Sequence, residues 1–197
     1  MRALTRTLVL LGLAAASSPR LAAQWGVSAE IGVARFGGTA RDTSGTTVGP
    51  YRPTTFACRL DRQFGAVRGG IALLYAHPGL AGEQQDLAVV FYDGTSLVEV
   101  GPEVSIGVAR FATGAVVRVE GGPVLDLWDV DGETSRTRVG AHAGLALEWP
   151  LSGRFTGSVR ARGALTGSMM NADEQSTNFE RHATRRFGVS LGLRYRI

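Results

Sequence analysis

The chain has 197 residues, the size of one domain, with 44% hydrophobic residues, 19% charged residues and a single cysteine. That cysteine, Cys58, excludes an intramolecular disulfide, and no apolar run reaches the roughly 20 residues of a membrane-spanning helix. The formal charge of +4 is no nucleic-acid signature: residues 1–23 hold Arg2, Arg6 and Arg20 and no acid, leaving 18 basic against 17 acidic residues, so no nucleic acid is expected as a partner.

The amino-terminal segment reads as a signal peptide. Arg2 and Arg6 precede an apolar run, Leu8 to Ala16, that is too short to span a bilayer. Leu21-Ala22-Ala23 offers a cleavage site before Gln24, with an uncleaved anchor helix as the alternative. Residues 1–23 are thus assigned to the leader and residues 24–197 to one domain.

Eight segments then alternate between apolar and polar residues with period two, the signature of strands with one oily and one polar face. In chain order they are residues 25–37, 54–62, 65–77, 97–109, 115–128, 136–149, 155–166 and a last one from Phe187 to Ile197. In the first, Trp25, Val27, Ala29, Ile31 and Val33 oppose Ser28, Glu30 and Gly32. Cys58 falls on an apolar face, where a free thiol behaves as a small hydrophobe. Across all eight, the polar parity also carries Arg59, Asp61, Arg68, Glu99, Glu103, Arg118, Glu120, Asp126, Arg138, Glu148, Arg160, Arg162, Arg186 and Arg194.

The connections alternate in length. Residues 62–65, 111–114 and 150–153 are short turns, whereas 38–50, 78–96, 129–135 and 168–183 are longer and polar. Leu87 to Tyr92 is apolar inside a long connection; it is read as part of a structured extracellular loop, with a ninth strand, a strand extension or a short helix as alternatives. Pro102 and Pro123 each follow a glycine at similar heights on neighbouring strands, which predicts paired bulges. Trp25, Phe111, Trp149, Phe155 and Tyr195 collect at the short-turn rim, as an interfacial girdle would.

The final segment, Ser190-Leu-Gly-Leu-Arg-Tyr-Arg-Ile197, reads polar, any, Gly, any, any, aromatic, any, apolar. Behind a leader, it resembles the closing strand of small eight-stranded bacterial outer-membrane β-barrels, the OmpA/OmpX-like family, although such strands usually end in Phe or Trp rather than Ile. The resemblance is one of pattern over residues 24–197. It implies an all-β fold, an eight-stranded antiparallel up-and-down transmembrane barrel in the outer membrane of a Gram-negative-type envelope. It also implies that Ser190, Gly192, Tyr195 and Ile197 serve as an assembly signal read by the barrel-insertion machinery. Outer-membrane lipid and lipopolysaccharide are the implied surroundings.

Alternation alone fits either oil outward or oil inward; the leader, the girdle and the closing strand favour oil outward. An eight-stranded interior is just wide enough to fill with side chains. A lumen network of Glu30, Arg59, Arg68, Glu99, Glu103, Arg118, Glu120, Arg138, Arg160 and Arg162 is therefore expected to form a salt-bridged plug, with little or no conductance. The use of arginine for every basic position other than histidine suits bidentate pairing with carboxylates.

No catalytic constellation is legible. There is no Gly-x-Ser-x-Gly. His142 and Glu148 share a face but lie roughly 20 Å apart along the strand. His77 and His182, with Ser168 and Ser176 nearby, read as rim residues. The acidic groups Asp129, Asp131, Glu133 and Asn171, Asp173, Glu174 lack the spacing of a calcium loop. No metal, cofactor or enzyme activity is expected. Arg35 and Arg41 lie near the loop rim, within reach of lipid phosphates. The expected role is structural or surface-interactive; a lipid-modifying barrel enzyme and a secreted, soluble, lipocalin-like barrel for a small apolar ligand are the alternatives.

Overall fold

A strand with two unlike faces gains nothing alone; it must pair on both edges and separate oil from charge. The computed structural model describes residues 24–37, 40–42, 47–51, 53–84, 87–92, 94–130, 135–169 and 179–197. The expected leader, Ser176 and the loop residues Asp131, Glu133, Asn171, Asp173 and Glu174 lie outside these residues. The described strands begin with β1 (Gln24–Gly37), β2 (Ala40–Asp42), β3 (Thr47–Pro50), β4 (Thr54–Phe64) and β5 (Val67–Ala76). They continue with β6 (Leu80–Gln84), β7 (Leu87–Tyr92), β8 (Thr95–Arg110) and β9 (Val116–Val130). The last are β10 (Arg136–Pro150), β11 (Phe155–Thr166), β12 (Phe179–Arg181) and β13 (Thr184–Arg196).

Eight of these close a barrel in the order β1-β13-β11-β10-β9-β8-β5-β4. Every neighbouring pair is antiparallel, and β1 meets β13 from Gly26↔Arg196 to Gly37↔Arg185. The shortest barrel strand, β5, has 10 residues, within the about 9–11 that a tilted strand needs to cross hydrocarbon. The rungs are staggered. From Arg35 they run through Phe187, Gly163, Ala143, Gly121, Val104, Gly69 and Arg62, and return to β1 at Trp25, ten residues from the start.

The faces sort as the parity requires. Ile31, Val33, Ile71, Val104, Leu145, Phe187 and Leu191 are exposed on the outside, while Glu30, Arg59, Glu99, Arg118, Glu120 and Arg160 are buried within. Cys58 is exposed on the outer, apolar wall. A soluble barrel with an apolar cavity requires the reverse arrangement.

At one rim the strands join through short turns, where Gly65 and Gly114 adopt left-handed φ values of 63° and 83°. At the other rim described parts of three of the long connections form strands: β2, β3, β6, β7 and β12 pair into a second sheet of order β12-β2-β3-β6-β7. The segment Leu87–Tyr92 forms β7 and pairs with β6, so it is a hairpin arm outside the barrel and leaves the barrel count even.

The prolines correct the sequence reading. Val100 pairs with Leu125 and Val104 with Gly121, so the register is the same on both sides of Pro102 and Pro123 and no bulge forms there. The register shift on β8 lies instead between Gly107 and Ala109. Both strands lose a donor at the same rung, so the ladder is interrupted without an extra residue on either strand. The preceding glycines permit this. A Cβ on Gly122 would lie 2.1 Å from the Pro102 carbonyl oxygen, and one on Gly101 would lie 2.3 Å from that of Pro123.

Gly122→Ala is therefore expected to destabilise the barrel by about 1–3 kcal/mol through forced backbone displacement. Gly37→Ala, whose Cβ would meet nothing within 4 Å, should be near neutral. The urea midpoint for loss of the compact, unboiled gel band measures both. A Gly122→Ala midpoint equal to that of the parent would contradict the close approach.

Candidate functional site: a charge-filled lumen with an apolar cap

The inward parity brings arginines and carboxylates from different strands into one confined column. Three groups succeed one another along it. Nearest the turns, Arg194 on β13 grips Asp61 on β4 through two donors, Nη2 to Oδ1 at 2.6 Å and Nε to Oδ2 at 3.0 Å. Arg68 on β5 lies 3.2 Å from the same Asp61 and donates twice to Glu148 on β10, at 2.7 and 3.1 Å. Arg118 on β9 adds a 2.9 Å bond to Glu148.

In the middle, Glu30 on β1 is the convergence point. It accepts hydrogen bonds from Arg59 on β4, from Arg160 on β11 at 3.1 Å and from the Ser190 hydroxyl on β13 at 2.8 Å. Arg160 also pairs with Glu120 on β9. Arg59 reaches Glu103 on β8 at 3.3 Å, and the His142 Nε2 atom lies 3.4 Å from Glu103. Toward the loops, Glu99 takes Arg162 at 2.6 Å and Arg186 together. Bidentate arginine suits such sites because its planar fork matches two carboxylate oxygens, or two carboxylates, at once.

Above Glu99 the lumen chemistry changes. Phe36, Leu74, Ala76, Leu97, Trp128 and Met169 form a buried apolar cluster on the inward face. The rings of Phe36 and Trp128 meet edge to face at 5.7 Å, and the Arg186 guanidinium lies 5.7 Å from the Phe36 ring. Met169 is fastened across the mouth: its carbonyl accepts from Arg136 at 2.9 Å and its N–H donates to Thr184 Oγ1 at 3.3 Å. The interior is thus a charge column under an apolar lid. Within the column the cavities have volumes of about 10 and 30 Å³, room for a water or two, and a wider one of about 240 Å³ opens at the turn-side mouth beside Arg68, Arg118, Glu148 and Arg194.

Of the ten lumen residues expected from the sequence, Glu30, Arg59, Arg68, Glu99, Glu103, Arg118, Glu120, Arg160 and Arg162 each take part in an ion pair of the column. Arg138 sits half-buried toward the loop end of β10 and donates to the carbonyls of Ser168 and Thr137. Asp61, Glu148, Arg186 and Arg194, seen only as polar-face residues, prove to be members. The lid was missed, although Phe36, Leu74, Leu97 and Trp128 share the inward parity at the loop ends of their strands and that parity was its signal.

The expected assembly-signal residues occupy both faces of β13. Ser190 and Gly192 point inward, and a Cβ at Gly192 would lie 2.8 Å from Glu30 Cγ, so glycine there makes room for the carboxylate. Tyr195 stacks on Phe155 at 5.1 Å, and its hydroxyl accepts from Arg154 at 3.0 Å. Ile197 is exposed and donates its N–H to the Trp25 carbonyl at 3.0 Å. His77 and His182 are exposed near the loop rim, while the His142 side chain is buried in the lumen beside Glu103.

This fold matches known structures. Neisserial surface protein A is similar with a TM-score of 0.61 and 11% identity, over 88% of this chain and 97% of that one. The outer membrane protein OprG from Pseudomonas aeruginosa is similar with a TM-score of 0.55 and 10% identity, over 90% of this chain and 97% of that one. No sequence-family model and no curated protein sequence matches the chain. The chain has the closed, eight-stranded antiparallel fold of small outer-membrane barrels.

Glu30→Gln removes the carboxylate shared by Arg59 and Arg160 and leaves buried positive charge uncompensated. It is expected to cost about 3–5 kcal/mol. The temperature at which the compact gel band converts to the unfolded one should fall well below that of the parent. An unchanged conversion temperature would remove Glu30 from the closure of the barrel.

Proposed function

We propose that this protein is an integral outer-membrane barrel with a structural or surface-interaction role, that it conducts no ions and that it carries no catalytic step. The observation that supports this reading is the lumen: most of its charges are paired with one another, and Phe36, Leu97, Trp128 and Met169 close it toward the loops. A filled barrel transmits nothing along its axis, so its chemistry with other molecules lies on its outer surfaces.

The outward wall suits lipid, with apolar side chains exposed from every barrel strand. Lipopolysaccharide is the proposed neighbour at the loop side, where Arg35 and Arg185 are exposed on the outward face of β1 and β13. The second sheet, β12-β2-β3-β6-β7, extends the loop rim and offers the surface for a partner outside the cell. The proposed reader of Ser190, Gly192, Tyr195 and Ile197 is the barrel-insertion machinery.

The full-length chain expressed in a bacterium with an outer membrane should sediment with that membrane and migrate faster unboiled than boiled. Recovery in the soluble periplasm would overturn the reading. Purified protein in a planar lipid bilayer should give no reproducible single-channel steps; large, regular steps would overturn the closed lumen.

A further inference from the structure

The lumen arginines have carboxylate or backbone partners, but Arg62 has neither. It lies on the outward face of β4, paired across the ladder with Trp25, with two rungs between it and the turn at Gly65. Its guanidinium carbon is 5.6 Å from the Trp25 ring centroid and 5.1 Å from that of Phe64. Among the described residues, no carboxylate stands within ion-pair distance of it and no acceptor takes its protons. Two aromatic rings therefore hold a planar cation at girdle depth with its donors unused.

The surroundings fit an anion from the membrane. The ladder partner on the other side is Gly69, where a Cβ would meet nothing within 4 Å, so a notch opens beside the guanidinium. The nearest carboxylate along the strand, Asp61, points inward and is held by Arg194. The turns of this rim, residues 64–67, 110–116 and 151–155, contain no Asp or Glu. Beyond Arg62 the wall continues with exposed Leu60, Ile71 and Val104 toward the membrane centre.

We propose that Arg62, stacked between Trp25 and Phe64 beside the Gly69 notch, binds the phosphate of a glycerophospholipid in the turn-side leaflet. The acyl chains lie along Leu60 and Ile71. This rests on the reading of the barrel as membrane-spanning. Lipopolysaccharide is assigned to the loop side, so the ligand here is a phospholipid. The planar fork of Arg62 meets two phosphate oxygens, and the rings fix its height in the wall.

The test uses the full chain, folded in detergent and titrated with dimyristoyl phosphatidylglycerol, the retained lipid being read by native mass spectrometry. The parent should retain one lipid, and dimyristoylglycerol, which lacks the phosphate, should not be retained. R62Q should bind roughly tenfold more weakly. R110Q, at an exposed turn position with no aromatic seat, should bind like the parent. Parent-like binding by R62Q, or an equal loss in R110Q, would overturn the site. If R62Q does not fold, F64L carries the same decision: weaker retention supports the site, and parent-like retention overturns it. The faster-migrating unboiled band reports separately on the barrel, so a folded protein without Arg62-dependent binding overturns only this inference. A parent that stays soluble without detergent overturns the membrane reading itself.

Discussion

Hydrocarbon offers no partner to a backbone N–H or C=O, so a sheet that crosses it must close on itself. Closure in this chain is the pairing of β1 with β13. The period-two pattern then has two possible settings, and the outward wall selects one. Once apolar residues face out, every charged residue of the opposite parity is committed to an interior only one side chain deep. The rest of the architecture follows from satisfying those charges.

The column solves that problem by linking strands that are distant in sequence. Glu30 joins the first strand to β4, β11 and β13, and Asp61 joins β4 to β13 on the far side of β1. These bonds stand across the seam where the sheet closes. A slip of one residue at that seam would turn Glu30 to the outer wall and Ile31 to the lumen, and would part Glu30 from all three of its partners at once. Buried ion pairs are weak evidence for net stability, because desolvation offsets much of the Coulomb gain. Their consequence here is that one register satisfies the column and its neighbours do not.

Parity and turn length made the barrel legible. Arg59, Glu99 and Arg160 were placed inside because their neighbours Leu60, Val98 and Ala161 are apolar, and a strand has no third face. What parity does not encode is position along the barrel axis. Phe36 and Trp128 satisfy the rule for inward residues by location and break it by chemistry, so a pattern reader expecting polar lumen residues passes over them. The proline pair failed for another reason. A single strand proline removes a donor from one side of a rung, and a bulge is a common answer. Two prolines facing each other remove both donors, and the neighbouring glycines accept the carbonyls in place of a bulge. Facing is a property of register, which no single segment contains. The second sheet was hidden likewise, since β2, β3 and β12 are three or four residues long and acquire strand character only by pairing.

The two rims divide the remaining work. At the turn rim the connections are short, the charges are basic and the aromatic rings are large, so side chains there have few alternative positions. At the loop rim the sheet continues as five shorter strands whose outer members, β12 and β7, each have one described neighbour. Between them stand the charge column and the apolar cluster of Phe36, Leu97, Trp128 and Met169. The barrel is thus tied across its middle by ion pairs, ringed by aromatic side chains at one end and extended by a second sheet at the other. The strands of the loop sheet contain none of the residues of the Glu30 column and none of the aromatic girdle, so the two ends of the molecule are built from separate stretches of the chain.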